Sequence, residues 1–182
     1  DDRTLAELVP ELHGKLQSHP YPDRWMEKAA ESWSDLPERL SDSVYGRTIM
    51  EDTVRRAGYW AGQLERAVEE MADCEKVYKA YAERFLETAA MLRGYETAAQ
   101  EGWDAMGRAW SKPGRLGSVR GEGYEEVKNA AQAVWKRCKA EAEKLAAPYQ
   151  TTEAEALDDL RAIAPAMQAM LHLTEAVDRR LR

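Results

Sequence analysis

The chain has 182 residues, of which 44% are hydrophobic and 32% charged, which excludes a disordered chain and suffices for one packed domain. Its formal net charge of −7 is opposite in sign to that of proteins that bind a phosphate backbone, so we expect no general nucleic-acid binding. The apolar runs are too short to span a membrane, and the N-terminal residues lack the pattern of a signal peptide.

Helix-forming residues dominate the sequence, and no segment alternates apolar and polar residues in the manner of a strand. We therefore predict an all-α fold, an elongated antiparallel helical bundle in which residues 1–182 form a single domain. Residues 1–46 are predicted to form a cap of short helices, because Pro10, Pro20 and Pro37 interrupt the helical pattern. The first residue is Asp1, which leaves open whether other residues precede it.

Residues 48–110 carry the strongest helical pattern and are predicted to form a long helix with its continuation. No proline occurs from Val54 to Leu92, and the apolar residues repeat every seven positions, as in a coiled coil. This pattern predicts one helix of about 45 residues, roughly 65 Å long. Glu75 breaks the apolar stripe, and we interpret it as a polar contact that fixes the register. Gly94 is predicted to bend or end the helix.

Residues 111–123 form the clearest loop, because they include four glycines and one proline. Four basic residues and no acidic residue lie between Ala105 and Gly121. The loop is interpreted as a solvated linker, as a surface that docks on another protein, or as a site for an anionic ligand. It lacks the Gly-Lys-Ser/Thr ending of an NTP-binding loop. The candidate partner-binding or anion-binding residues are Trp103, Met106, Arg108, Trp110, Lys112, Arg115 and Arg120.

Residues 124–182 are predicted to form a helical hairpin. The first helix has apolar residues at heptad spacing and is expected to stop at Pro148. Thr152 and Glu155 have the spacing of a capping box, which predicts the start of the last helix. Because the connection is short, we expect the two helices to be antiparallel neighbours, with a kink at Pro165.

The sequence shows no pattern of residues typical of catalysis or metal binding. The histidines at 13, 19 and 172 do not complete the Glu-x-x-His pairs of a di-metal bundle, and neither Gly-x-Ser-x-Gly nor Cys-x-x-Cys occurs. We therefore expect no catalytic residue, no metal ligand and no cofactor. Cys74 and Cys138 are interpreted as reduced thiols, which favours the cytoplasm, while a cross-link and secretion stay open.

These patterns favour a non-enzymatic helical module for protein–protein interaction, such as a scaffold, an adaptor or a neutralising partner. Its partner is expected to be another protein, and the formation of a homo-oligomer stays open. A protein that uses a pocket between helices as an enzyme or small-ligand sensor is a further alternative. The preference for arginine over lysine and the abundance of alanine suggest a bacterial or phage origin.

The segment Trp60-Ala61-Gly62 resembles the Trp-x-Gly signature of the small helical-hairpin substrates of type VII secretion. The resemblance covers three residues, and Tyr95 is followed at the fourth place by Ala99 rather than by the acidic residue of the family's trailing signal. The resemblance implies a secreted helical-bundle substrate in which the motif lies in the turn between two helices. We keep this as an alternative function.

Overall fold

The computed structural model describes residues 2–181, except for the side chains of residues 2, 3, 5 and 181. This part of the chain contains seven α-helices, two 3-10 turns and no strand, so the predicted all-α bundle is confirmed. None of its helices combines the length and the apolar character needed to cross a membrane. The helices are α1 Asp2–Gln17, α2 Pro22–Ser34, α3 Val44–Glu70, α4 Glu75–Glu101, α5 Trp103–Ala109, α6 Glu125–Ala146 and α7 Glu153–Leu181, with 3-10 turns at Leu40–Asp42 and Ala147–Gln150.

The chain divides into two compact units. The terminal unit comprises residues 1–44 and 154–182, and the central unit comprises residues 45–153. Residues 124–182, predicted as one hairpin, therefore contribute to both units. Pro10 lies inside α1 and Pro165 lies inside α7, so neither proline ends its helix.

The central unit is built on three helices. α3 and α4 are antiparallel, and the Arg93 guanidinium on α4 donates two hydrogen bonds to the Glu65 carboxylate on α3, at 2.8 and 2.6 Å. α6 runs parallel to α4, because residues 132 and 135 of α6 contact residues 81 and 85 of α4. Arg56 of α3 pairs with Glu141 of α6 at 2.6 Å. Each pair of helices is thus joined by a polar contact or a ring contact.

The prediction of one long helix over residues 48–92 is wrong, because the chain turns at residues 71–74 and forms a hairpin. The Cys74 backbone N–H donates to the Met71 carbonyl oxygen at 2.9 Å in this turn. The seven-residue repeat of apolar residues keeps the same phase on both sides of this turn, because each helix of the hairpin buries an apolar stripe. The missed signal is electrostatic: Glu69 and Glu70 lie in the last turn of α3, where the helix dipole disfavours negative charge.

The interpretation of Glu75 as a register-fixing contact is also wrong. Glu75 is the first residue of α4, its side chain is 79% exposed, and it pairs with Lys79 at 2.5 Å. A carboxylate in the first turn of a helix is stabilised by the helix dipole. Glu75 therefore belongs to the start of a helix rather than to a buried seam.

The motif Trp60-Ala61-Gly62 lies inside α3, and residues 63–70 of the same helix separate it from the turn. In the type VII substrates that it resembles, the motif lies in the turn itself. The implied placement of the motif is therefore wrong, because α3 is continuous through it.

The end of the central unit at which α4 finishes is closed by a cluster of aromatic residues. α4 continues through Gly94 to Glu101, and Gly102 then takes a φ of 115°, which favours glycine and turns the chain into α5. The Trp103 ring lies 4.7 Å from the Tyr149 ring, and the Tyr149 ring lies 6.4 Å from the Tyr95 ring. These rings cover the end of the three-helix core.

Two tyrosines in this cluster are expected to respond in opposite ways to loss of the hydroxyl group. Tyr95 is fully buried, its hydroxyl has no hydrogen-bond partner in the described residues, and burial raises its pKa to about 12. Tyr149 donates a hydrogen bond to the Thr53 hydroxyl at 2.9 Å. We expect Tyr95→Phe to leave the free energy of unfolding unchanged or to raise it by about 1 kcal/mol, and Tyr149→Phe to lower it by about 1–2 kcal/mol. Urea unfolding of both variants measures the difference, and equal destabilisation would contradict it.

The terminal unit is joined by polar contacts between α7 and the first two helices. Asp178 is 6% exposed, accepts a hydrogen bond from the Gln17 side chain at 2.5 Å, and lies 3.3 Å from His13 Nε2. The Gln168 side chain donates to the Trp33 carbonyl oxygen at 3.0 Å. The Asp178 carboxylate is buried, and its contacts with Gln17 and His13 offset the cost of removing it from water.

Candidate functional site

The glycine-rich loop lies against α4 and runs toward the start of that helix. The backbone N–H and the hydroxyl of Ser111 approach the Met91 sulfur at 3.3 Å. Six residues later, a Cβ built on Gly117 would lie 3.0 Å from the Ala80 carbonyl oxygen, so glycine permits this close approach. Val119 is buried. The loop therefore packs on α4 through the buried residues Pro113 and Val119, while most of its other residues are exposed.

Two of the predicted partner-binding residues belong to the core. Trp103 is 4% exposed, and its indole N–H donates to the Thr151 carbonyl oxygen at 3.0 Å. Met106 is fully buried. Their spacing on one face of α5 reflects contact with the core, so we leave both out of the candidate site.

The other predicted residues reach the surface. Trp110 is half-buried, and Arg108, Lys112, Arg115 and Arg120 are exposed. The Arg108 guanidinium lies 3.9 Å from the Glu101 carboxylate. The other three basic side chains form no ion pair within residues 2–181.

The loop and α6 together form a groove of about 430 Å³, which we call the α6 groove. Residues 114–116 of the loop form one wall. The other wall comes from one face of α6, where residues three, four and seven apart point the same way. The α6 residues that line it are Gln132, Trp135, Lys136, Lys139, Ala140 and Glu143.

The rim of the α6 groove is positively charged. It carries the cations Arg115, Lys136 and Lys139 and one anion, Glu143. None of these four side chains forms an ion pair with another described residue. By contrast, Arg56 is held by two carboxylates, those of Asp52 and Glu141, which raise its pKa. The rim cations are thus free to bind an external anion without breaking an internal pair.

The floor of the α6 groove is aromatic and rests on a stack of rings. Trp135 is 8% exposed, and its ring lies 5.1 Å from Phe85 at an interplanar angle of 23°. Phe85 in turn stacks on Tyr81 at 6.4 Å. The Gln132 amide donates to the Tyr81 hydroxyl at 2.8 Å. These contacts fix the floor and one wall of the groove, as a preorganised binding site requires.

The α6 half of this site was not predicted from the sequence. The run Trp135-Lys136-Arg137-Cys138-Lys139 contains three cations beside an aromatic residue, which is the composition of many nucleic-acid surfaces. The heptad spacing of the apolar residues in α6 indicates a packing stripe and does not reveal which cations lie beside the loop. Arg115 was predicted, and the structure brings it to the same groove as Lys136 and Lys139.

The two units differ in charge, which the net value conceals. The terminal unit has 9 Lys and Arg residues against 15 Asp and Glu residues, whereas the central unit has 17 against 18. The acidic character of the chain is therefore concentrated in the terminal unit. That unit has its own groove of about 890 Å³, lined by five carboxylates with Arg24 and His172. No group of three or more candidate metal ligands occurs among the described residues.

The two cysteines are free thiols in different surroundings. Cys138 is fully buried, and burial raises its pKa to about 12, whereas Cys74 is half-buried at the start of α4. Because the thiolate is the reactive form, we expect an aromatic disulfide reagent to label one thiol per folded chain at pH 8 and both after unfolding. In Cys74→Ser the folded chain should not react. Rapid labelling of Cys138 in that folded variant would contradict the expectation.

The chain is similar to bacterial proteins that are named as the A subunits of an ATP-dependent helicase/nuclease. It is 25% identical to the protein from Acetivibrio thermocellus over 186 residues, which cover 96% of this chain and 14% of the relative. It is 23% identical to the proteins from Bacillus cereus and Bacillus thuringiensis over 185 residues, 100% of this chain and 15% of each relative. The chain thus spans about a seventh of the length of these curated relatives. No protein-family model matches it.

These relatives overturn two expectations drawn from the sequence. The expected non-enzymatic protein-interaction module is wrong, because the relatives that match the chain along its length are subunits of an enzyme. The expectation of no general nucleic-acid binding is wrong as well, since nucleic acid is the substrate of a helicase/nuclease. The net charge was misleading here because it sums over both units and conceals the cationic rim of the α6 groove.

Proposed function

We propose that this chain is a helical segment of a bacterial ATP-dependent helicase/nuclease and that its α6 groove binds the phosphate backbone of the nucleic acid. The observation that supports this most strongly is the convergence of Arg115, Lys136 and Lys139 on one groove. These three cations lie on two elements and have no ion-pair partner in the part of the chain that the structure describes. They suit neighbouring phosphates, which release counterions when lysine or arginine neutralises them.

The comparisons add support from the extent of the similarity. The match to the Bacillus cereus relative covers 100% of this chain, so both walls of the groove lie in the similar region. We assign nucleic-acid contact rather than ATP hydrolysis to the chain, because its glycine-rich loop lacks the Gly-Lys-Ser/Thr ending. Two free thiols and a nucleic-acid substrate suit the bacterial cytoplasm.

The proposal is tested by the fluorescence anisotropy of labelled oligonucleotides, single-stranded and duplex, titrated with the 182-residue chain. We expect binding whose logarithmic affinity falls linearly with the logarithm of salt concentration. Three phosphate contacts predict a slope of about −2 for a single strand, measured between roughly 50 and 200 mM salt. Failure of both oligonucleotides to bind at the lowest salt would overturn the proposal.

A further inference from the structure

The α6 groove combines a charged rim with an apolar interior. Its lining includes the apolar residues Leu116, Trp135 and Ala140 as well as the cations Arg115 and Lys139, and Trp135 is 8% exposed. Contact with phosphate alone does not account for these apolar residues, because phosphate and sugar are polar. Apolar residues and cations in one groove fit a ligand whose charged backbone carries flat apolar groups at its side.

From this arrangement we infer that the α6 groove is selective for single-stranded nucleic acid and seats an unpaired base against Leu116 and Trp135. The inference rests on the proposed function of the same groove. In a duplex the base faces are stacked on one another, whereas an unpaired base can turn out and rest on an apolar side chain.

The size and support of the groove agree with one base at a time. Its volume of about 430 Å³ lies in the range of small-ligand pockets and is far below that of a duplex. Trp135 is backed by Phe85, and Gln132 is held by Tyr81, so the base meets a surface that is already in place. The Gln132 side-chain oxygen remains on the groove wall as an acceptor for a base edge.

Glu143 restricts the part of the rim along which a phosphate backbone can lie. It lies on the α6 wall one turn beyond Lys139 and has no described ion-pair partner. A phosphate is repelled there and attracted at Arg115 and Lys136, so the backbone should pass along the cationic part of the rim. The base is then left to face Leu116 and the small exposed part of Trp135.

Three labelled probes test this inference: an oligothymidine, the duplex of that strand with its complement, and an abasic strand of equal length. We expect the oligothymidine to bind at least about tenfold more tightly than either of the others. Leu116→Ser should remove most of the advantage over the abasic strand while leaving the salt slope unchanged. Leu116 is half-buried on the loop, and circular dichroism confirms whether the variant is folded.

The outcomes separate this inference from the proposed function. If the duplex or the abasic strand binds as tightly as oligothymidine with a steep salt dependence, the inference is overturned and phosphate binding stands. If none of the three probes binds, both are overturned. A preference for oligothymidine that persists in Leu116→Ser would also overturn the assignment of the base to this groove.

Discussion

Replacement of Trp103 by alanine is expected to lower the free energy of unfolding of the chain by about 3–5 kcal/mol. Trp103 is 4% exposed, lies 4.7 Å from the Tyr149 ring, and donates its indole N–H to the Thr151 carbonyl oxygen. The variant therefore loses apolar contacts, leaves a cavity, and leaves the Thr151 carbonyl oxygen without its hydrogen-bond donor. Since small domains have about 5–15 kcal/mol of stability in total, this single change removes a large part of it.

Two further variants make the Trp103 prediction specific. Trp103→Phe keeps a ring but loses the donor, so we expect a smaller loss of about 1–2 kcal/mol. Trp110→Ala removes a half-buried tryptophan seven residues later and serves as the matched control. Urea unfolding followed by circular dichroism measures all three. If Trp103→Ala is no more destabilising than Trp110→Ala, Trp103 is not the core residue that we describe.

The triple variant Arg115→Gln, Lys136→Gln and Lys139→Gln removes the positive charges of the α6 groove. We expect it to weaken nucleic-acid binding by roughly one to two orders of magnitude at 0.1 M salt. Each lost phosphate contact should also reduce the salt slope by about 0.7 for a single strand. The three side chains lie on the rim, and none takes part in an ion pair among the described residues, so the free energy of unfolding should change little.

The controls for the charge variant use the same unit. Arg47→Gln with Arg66→Gln removes two exposed cations from α3, outside the groove, and should leave affinity nearly unchanged. Glu143→Gln removes the one anion on the rim and should tighten binding, by roughly two- to fivefold. The assignment of the groove would be wrong if the α3 control weakened binding as much as the groove variant, or if Glu143→Gln weakened it.

The fold class could be predicted because it depends on local properties of the sequence. The helix-forming residues, the absence of strand patterns and the glycines and proline of residues 111–123 are local features, which do not depend on distant parts of the chain. The hairpin of α3 and α4 could not be predicted in the same way. Its turn at residues 71–74 has neither glycine nor proline, and the apolar repeat is the same on both sides.

The candidate site could be predicted only in part, because it joins two segments that are distant in the sequence. The cationic loop was visible, and Arg115 is on the rim. Trp103 and Trp110 have the same spacing as residues on a partner-facing helix, and the sequence does not reveal which side the core occupies. Lys136 and Lys139 become part of the site only because α6 packs parallel to α4, where the loop also lies.

The central claim, that the α6 groove binds nucleic acid, is tested most directly by lysine acetylation read by peptide mass spectrometry, with and without saturating oligothymidine. We predict that Lys136 and Lys139 lose most of their reactivity when the strand is bound, because their ammonium groups contact phosphate. Lys15 and Lys28 of the terminal unit should react equally in both samples. Unchanged reactivity of Lys136 and Lys139 in the bound complex would contradict the claim, because the strand would then lie elsewhere.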